Sequence, residues 1–436
     1  MSKLALRLHE LLLLVRKEFW KLCAFSFVFF LVKASAFGAA LWLSNMISIA
    51  EFGLFEFALS GGLIVAVLLN VGMQGAYPFF IIKADRADYR AVFFLHGLVL
   101  TGGFVTLIFI NKMGGHWVPI KFSLLLLMGS VFAMQALYST ILKSHEILIP
   151  AIFLDGGFFL SVNVYNGLLY SEVVDFSIEM LETGLMIYVS FLWVLYFREF
   201  IVIKKQFTLE KYRKALHFGK HLVLSAFLII LLTGGARIFI ERFLAIEEVG
   251  YYGFYFRLAS ATVLIHQIIN IVFFKKMYES NARTLDFYFS LFIGSVLLLS
   301  ISMSFLVPAI FSEVLTLLAT SYADYQSLYW ILSFQVVFWI VLALNENVIY
   351  REELATPMNR GFIIIFLLML GTMIAFSHLQ ILDIFWLSTI NMLAIGLAVE
   401  WQFFLLKKQK NIAFTNTRRV SLSALLLFCI TYNLMI

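Results

Sequence analysis

Long apolar runs recur along this chain from one end to the other, and they leave little choice of fold. A bilayer core of about 30 Å takes about 20 apolar residues as one helix. Runs of that order lie near 20–44, 54–82, 91–110, 118–142, 147–169 and 184–203. A second set lies near 221–243, 251–274, 286–310, 327–350, 361–377 and 383–406, and a shorter run closes the chain at 420–436. With 62% hydrophobic and 13% charged residues in 436, the chain is far more apolar than soluble domains, where about half the residues are apolar. The expected fold is all-α and integral to a membrane. About twelve helices should span it, with a thirteenth at 420–436.

The charges choose a side. Basic loop residues stay cytoplasmic. If the N-terminus is inside, 26 of the 32 Lys and Arg fall on inner segments, the richest being 198–220, 1–21 and 407–419. The outer loops then hold only Lys112 and Lys121, and carry acidic residues such as Glu51, Glu172, Asp175, Glu247 and Asp383. The net charge of +6 is thus a topology signal and points to no nucleic acid. In residues 1–19, Leu4, Leu8, Leu11, Leu12 and Val15 line one helical face. That stretch reads as a cytoplasmic interfacial helix, or else as a basic start that enforces orientation. Leu11–Val15 is too short for the core of a cleavable signal. Cys23 and Cys429 sit in apolar runs, so no disulfide framework is expected.

One word is written twice. "SIAEFGLFEFAL" at 48–59 and "AIEEVGYYGFYF" at 245–256 align at an offset of 197, which superposes Ile49 on Ile246, Gly53 on Gly250 and Phe57 on Phe254. Each copy occupies an outer turn, one before span two and one before span eight. Six helices separate them, so both halves keep the same orientation. Two six-helix lobes, 20–203 and 221–406, are therefore expected as a parallel repeat, joined by a basic cytoplasmic linker at 204–220. Gly53 and Gly250 suit a tight corner that demands positive φ. Glu51, Glu247 and Glu248 would lie at the positive ends of the helices that follow.

A basic start, an apolar helix, "AEFGLFEFALSGG" and "NVGMQGAYPFFI" together resemble the opening of the polysaccharide-transport family. "EVGYYGFYFRLAS" followed by "FFKKMYES" is similar to the matching part of that family's second half. These are the flippases of O-antigen and other lipid-linked oligosaccharides, within the multidrug/oligosaccharidyl-lipid/polysaccharide exporter superfamily. The resemblance implies a two-lobe fold like that of the multidrug exporters (MATE-like) and alternating access. It also implies a bacterial inner membrane and an undecaprenyl-pyrophosphate-linked substrate. Membrane lipids, a polysaccharide polymerase and glycosyltransferases are the implied partners. No cofactor is expected, with coupling to a sodium or proton gradient.

Such a head group is large and anionic, so cations inside spans are the candidates to meet it, each costing about 2.5–3.5 kcal/mol at a helix centre. Lys33 lies near the middle of span one. Arg237 follows Gly234-Gly235, which would loosen the helix, and stands four residues before Glu241, a candidate intrahelical partner. Arg257 sits in span eight, where the resembled segment commonly carries arginine. Arg242 reads as an outer interfacial anchor. His266 reads as an inter-helix hydrogen bond or a cavity group. Asn70 and Gln74, four apart, would share one face of span two and contact sugar or hold helices together. Asp155 and Glu346 are candidates for ion coupling or for structural pairing.

No phosphate loop, metal-spaced His/Cys cluster or nucleophile elbow is present, so neither catalytic residues nor a metal site is expected. Two other readings remain. A cation-coupled multidrug-type exporter would want an acidic cavity, whereas the intramembrane charges are mostly basic. A membrane polysaccharide polymerase or ligase would want a sizeable outer loop, whereas the longest, near 170–183 and 311–326, are short and acidic.

Overall fold

The computed structural model describes residues 27–114, 117–264, 266 and 280–435, and the described chain is helical almost throughout. The interfacial helix read at 1–19, the first residues of span one, Cys23 and the "FFKKMYES" end of span eight lie outside the described residues.

In chain order the first half has α1 (Phe27–Leu43), α2 (Ile49–Asn70), α3 (Met73–Pro78), α4 (Arg90–His96) and α5 (Gly102–Gly114). Then come α6 (Ile120–Ser144), α7 (Leu148–Tyr170) and α8 (Ile178–Ile203). The second half has α9 (Leu209–Gly234), α10 (Ala236–Phe243), α11 (Ile246–Ser260), α12 (Ala282–Phe311) and α13 (Thr316–Arg351). It ends with α14 (Ala355–His378), α15 (Ile384–Lys410) and α16 (Thr415–Met435). Among the described residues, 8 helices are long and apolar enough to cross a membrane, or up to 9 if α9 is counted as one bent span. Helix starts carry their own signals. Ser48 and Glu51 form a capping box at α2, and the side chains of Ser177, Thr208, Asn281 and Asp383 accept from backbone N–H groups at the starts of α8, α9, α12 and α15.

Each half has a central helix. In the first, α6 is the central helix, flanked by α2 and α8; in the second, α13 is central, flanked by α11 and α15. Contacts distant in sequence join ends that the charge count places on one side. On the outer side Asn45 donates to the Val314 carbonyl at 3.1 Å. On the inner side Lys211 pairs with Asp88 at 3.0 Å, and Lys410 lies 3.9 Å from Glu352.

Several spans are broken, and each break has a local cause. Val71 and Gly72 both take left-handed φ, which ends α2 and starts α3 in a new direction. Asn70 and Gln74 therefore do not share a helix face as their spacing suggested: Asn70 is buried and Gln74 exposed. A π turn at Gly97–Thr101 lies between α4 and α5. At Gly234-Gly235 the seventh span breaks into α9 and α10, as the glycine pair predicts.

The basic stretch between the halves is almost wholly helical. Only a short turn, Lys204–Gln206 and the two residues after it, separates α8 from α9. Around residue 221 α9 bends by 42°. Its first part lies on the first half: Phe218 stacks on Phe79 with ring centroids 4.3 Å apart, and Tyr212 meets His96 at 3.0 Å. Its second part lies on the second half, where Asn359 donates to Ser225 and Asn391 to the Leu232 carbonyl. One helix thus belongs to both lobes. The outer connections are shorter than the apolar runs suggested, since α12 ends at Phe311 and α13 begins at Thr316.

Candidate functional site

The seam between lobes is built on α2. On one side Gly61 and Gly62 let α6 approach: a Cβ on Gly62 would stand 2.9 Å from Met128 Cβ. On the other side Gly53 does the same toward α11. A Cβ there would overlap the Ile246 carbonyl oxygen and lie 3.1 Å from the Gly250 nitrogen. The reverse also holds, for a Cβ on Gly250 would lie 2.5 Å from the Ile49 carbonyl oxygen. The two copies of the repeated word are packed on one another, each glycine against the other copy's first helical residue. This corrects the expectation of positive φ at these glycines. Both lie inside helices, and among the described residues Gly72 is the glycine with φ above zero. Their service is close backbone approach where α2 and α11 begin. Glu51, Glu247 and Glu248 do lie in first helical turns.

About two turns inward from this contact lies the charge cluster. Glu56 of α2 is completely buried. Arg257 of α11 donates through Nε to Glu56 Oε1 at 2.5 Å, and Arg237 Nε of α10 lies 2.9 Å from Oε2. The two arginines are 8% and 6% exposed. Gly253, the repeat equivalent of Glu56, makes room for it, since a Cβ there would stand 2.5 Å from Glu56 Cγ. Arg237 lies over Phe256 and Tyr252 at 4.8 and 5.6 Å, and Arg257 over Phe159 at 5.8 Å, faces that attract a guanidinium. Close by, Ser60 donates to the Gly234 carbonyl, which the helix break leaves free.

Two cations share one carboxylate here, so the cluster keeps one positive charge in excess. Arg257 Nη2 is buried without a hydrogen-bond partner among the described residues. The Arg237 contact is an ion pair without hydrogen-bond alignment. Burying charges in this way is costly unless geometry is complete. The arrangement leaves hydrogen-bonding capacity on both arginines unused among the described residues.

The other sequence-predicted residues are placed as follows. Glu241 pairs with Lys121 of α6 at 2.5 Å, so the expected Arg237–Glu241 pair is replaced by one between lobes. Lys33 is partly buried over the Phe29 ring at 5.8 Å. Asp155 binds Lys143 at 2.5 Å. Lys143 and Asp155 thus form a second charged pair within the first lobe, apart from the seam. Glu346 is half-buried and accepts from Tyr350. His266 stacks on Phe292 of α12, and its Nε2 meets no hydrogen-bond partner among the described residues. Arg242 is exposed at the outer end of α10. At the inner end, Arg86 and then Lys211 hold the Asp88 carboxyl down, at about 2. Glu56 was not among the sequence candidates. Its signals were a lone carboxylate deep in a span and its alignment with Gly253.

No protein-family model matches the chain, and neither does any curated protein. Among solved structures, the crystal structure of the eukaryotic MATE transporter AtDTX14 is similar to it: 13% identity, 91% of this chain and 95% of that one covered, TM-score 0.43. What that transporter carries does not pass to this chain.

Proposed function

We propose that the chain moves an anionic lipid-linked oligosaccharide, a sugar unit on undecaprenyl pyrophosphate, from the cytoplasmic to the periplasmic leaflet of a bacterial inner membrane. The N-terminus would be cytoplasmic, and the lobes α1–α8 and α9–α15 would alternate access. One observation carries this reading: Arg237 and Arg257 share the single carboxylate of Glu56 across the lobe seam. When the lobes part, Glu56 leaves with α2 while both arginines stay on the second lobe. The seam then offers two guanidinium groups, the planar donors best matched to phosphate oxygens. Tyr252 and Phe256, on the same lobe as the arginines, supply faces against which the lipid phosphate is desolvated. Lys33 is a further cation for the head group, and Asp155 or Glu346 a candidate for coupling to sodium or protons. Asp155 is neutralised by Lys143. That speaks against an acidic cavity of the kind a cationic drug needs.

The test is reconstitution. Liposomes holding the purified chain and a lipid-linked pyrophosphate oligosaccharide are treated with an impermeant sugar-modifying enzyme. Protein-dependent gain of modification beyond the outer leaflet's share supports the reading. Ion-driven efflux of a cationic dye with no movement of the lipid would replace it by the exporter reading.

A further inference from the structure

The cleft between α15 and α16 carries two adjoining cavities that the transport reading does not use. The first, about 420 Å³, lies at the elbow between the helices and is lined by Lys407, Arg418, Arg419, Thr415 and Phe404. The second, about 300 Å³, runs down the cleft and is lined by Phe338, Leu393, Gly396, Leu397 and Leu425. Leu422 lines both, so the two cavities adjoin at that side chain. The mouth of the cleft is basic and its floor apolar.

The charge balance of the mouth is positive. Arg418 binds Glu400 at 2.7 Å, which also borders the apolar cavity. Lys407 and Arg419 are exposed and have no ion pair among the described residues. The α16 N-terminus does not supply this charge. Asp286 of α12 already accepts from the Asn416 and Thr417 N–H groups and from the Thr417 hydroxyl. The basic groups are side chains aimed around a cavity, at the end of the bundle where Lys and Arg concentrate. Beside them Leu397, Phe404 and Leu426 are exposed on the helix surface.

We propose that this cleft holds one anionic diacyl phospholipid, its phosphate between Lys407 and Arg419 and one acyl chain along α15 and α16. A basic pocket beside an apolar groove at the cytoplasmic level matches that amphiphile end for end. A neutral zwitterionic lipid brings an ammonium into a mouth that is already cationic. The proposal needs the helix pair and the inward facing of its elbow, and does not depend on the identity of the transported substrate.

The experiment is native mass spectrometry of the purified full chain, with phosphatidylglycerol, phosphatidylcholine or an isoprenoid phosphate added to the detergent. The wild-type chain should retain one phosphatidylglycerol in preference to phosphatidylcholine. K407Q combined with R419Q should weaken retention at least tenfold, since each basic group near an anionic lipid is worth about fivefold. K204Q combined with K205Q, exposed lysines at another inner turn, should change nothing. Gly396 lines the apolar cavity and a Cβ there meets nothing within 4 Å, so G396F is chosen to place its ring in that space, with thermal stability checked alongside. This variant should weaken retention of long-chain phosphatidylglycerol and spare a dihexanoyl form. Equal retention of phosphatidylcholine, undiminished retention by the double glutamine variant, or preference for the isoprenoid phosphate would each overturn the assignment.

Discussion

Gly53 and Gly250, the same position of an internal repeat, face each other across the seam between two lobes, and a Cβ on the first would lie 3.1 Å from the backbone nitrogen of the second. The atoms in the way are backbone, so a side chain cannot be absorbed by a rotamer change. Gly53→Ala and Gly250→Ala should each force the outer ends of α2 and α11 apart, at about 1–3 kcal/mol. Labelling of a cysteine at Ser60 by an impermeant thiol reagent from outside should rise in both variants. Unchanged labelling with normal abundance would show that the contact is slack.

The carboxylate should matter more than either arginine. Glu56→Gln strands two buried cations, a loss of about 3–5 kcal/mol in the closed arrangement. Arg257→Met leaves a neutral Arg237–Glu56 pair and should be milder. Glu56→Gln combined with Arg257→Met should recover part of the loss. Thermal stability of the purified variants reads out the order, and Arg257→Met less stable than Glu56→Gln would contradict it.

Gly72 and Gly219 mark the inner counterpart. A Cβ on Gly72 would overlap the Gly219 carbonyl oxygen, one on Gly219 the Val71 carbonyl oxygen, and Gly72 also needs φ +72°. Gly72→Ala, strained in conformation and in space, should lower membrane abundance or stability more than Gly75→Ala. At Gly75 the contact is the movable end of the Leu222 side chain.

Truncation after Arg419 removes most of α16, including buried Ala424, Ser421 and Phe428, whose ring meets Phe334 at 5.6 Å. In lipid such helices are held by packing rather than by water exclusion. The truncated chain should melt several degrees lower while retaining detectable transport at matched abundance, because the seam lies elsewhere. Complete loss of transport at normal abundance would place α16 in the mechanism.

Hydropathy alone located the helices. Each apolar run is helical over most of its described part, because length and apolarity in lipid favour that element. The offset between the two words located the seam, though it suggested corners where the structure has helix-to-helix contacts. Glycine serves both needs equally, and a sequence does not distinguish them. The partner of the arginines escaped for a related reason. Glu241 stands four residues from Arg237, whereas Glu56 is more than a hundred residues away and reaches it only once α2, α10 and α11 are assembled. The breaks at Val71-Gly72 and Gly97–Thr101 were equally hidden, since their residues read as continuous span.

The proposed transport requires the lobes to part at α2 and α11 when an anionic lipid head group takes the place of Glu56. Spin labels at Val173→Cys in the first lobe and Glu247→Cys in the second, both exposed outer positions, report that separation once Cys23 and Cys429 are replaced by serine. Pulsed electron–electron distance measurements in liposomes should give one short distance for the unliganded chain. A second, longer population should grow on addition of the lipid-linked pyrophosphate oligosaccharide, and should be present without it in Glu56→Gln. A single unchanged distance under all three conditions would contradict the account.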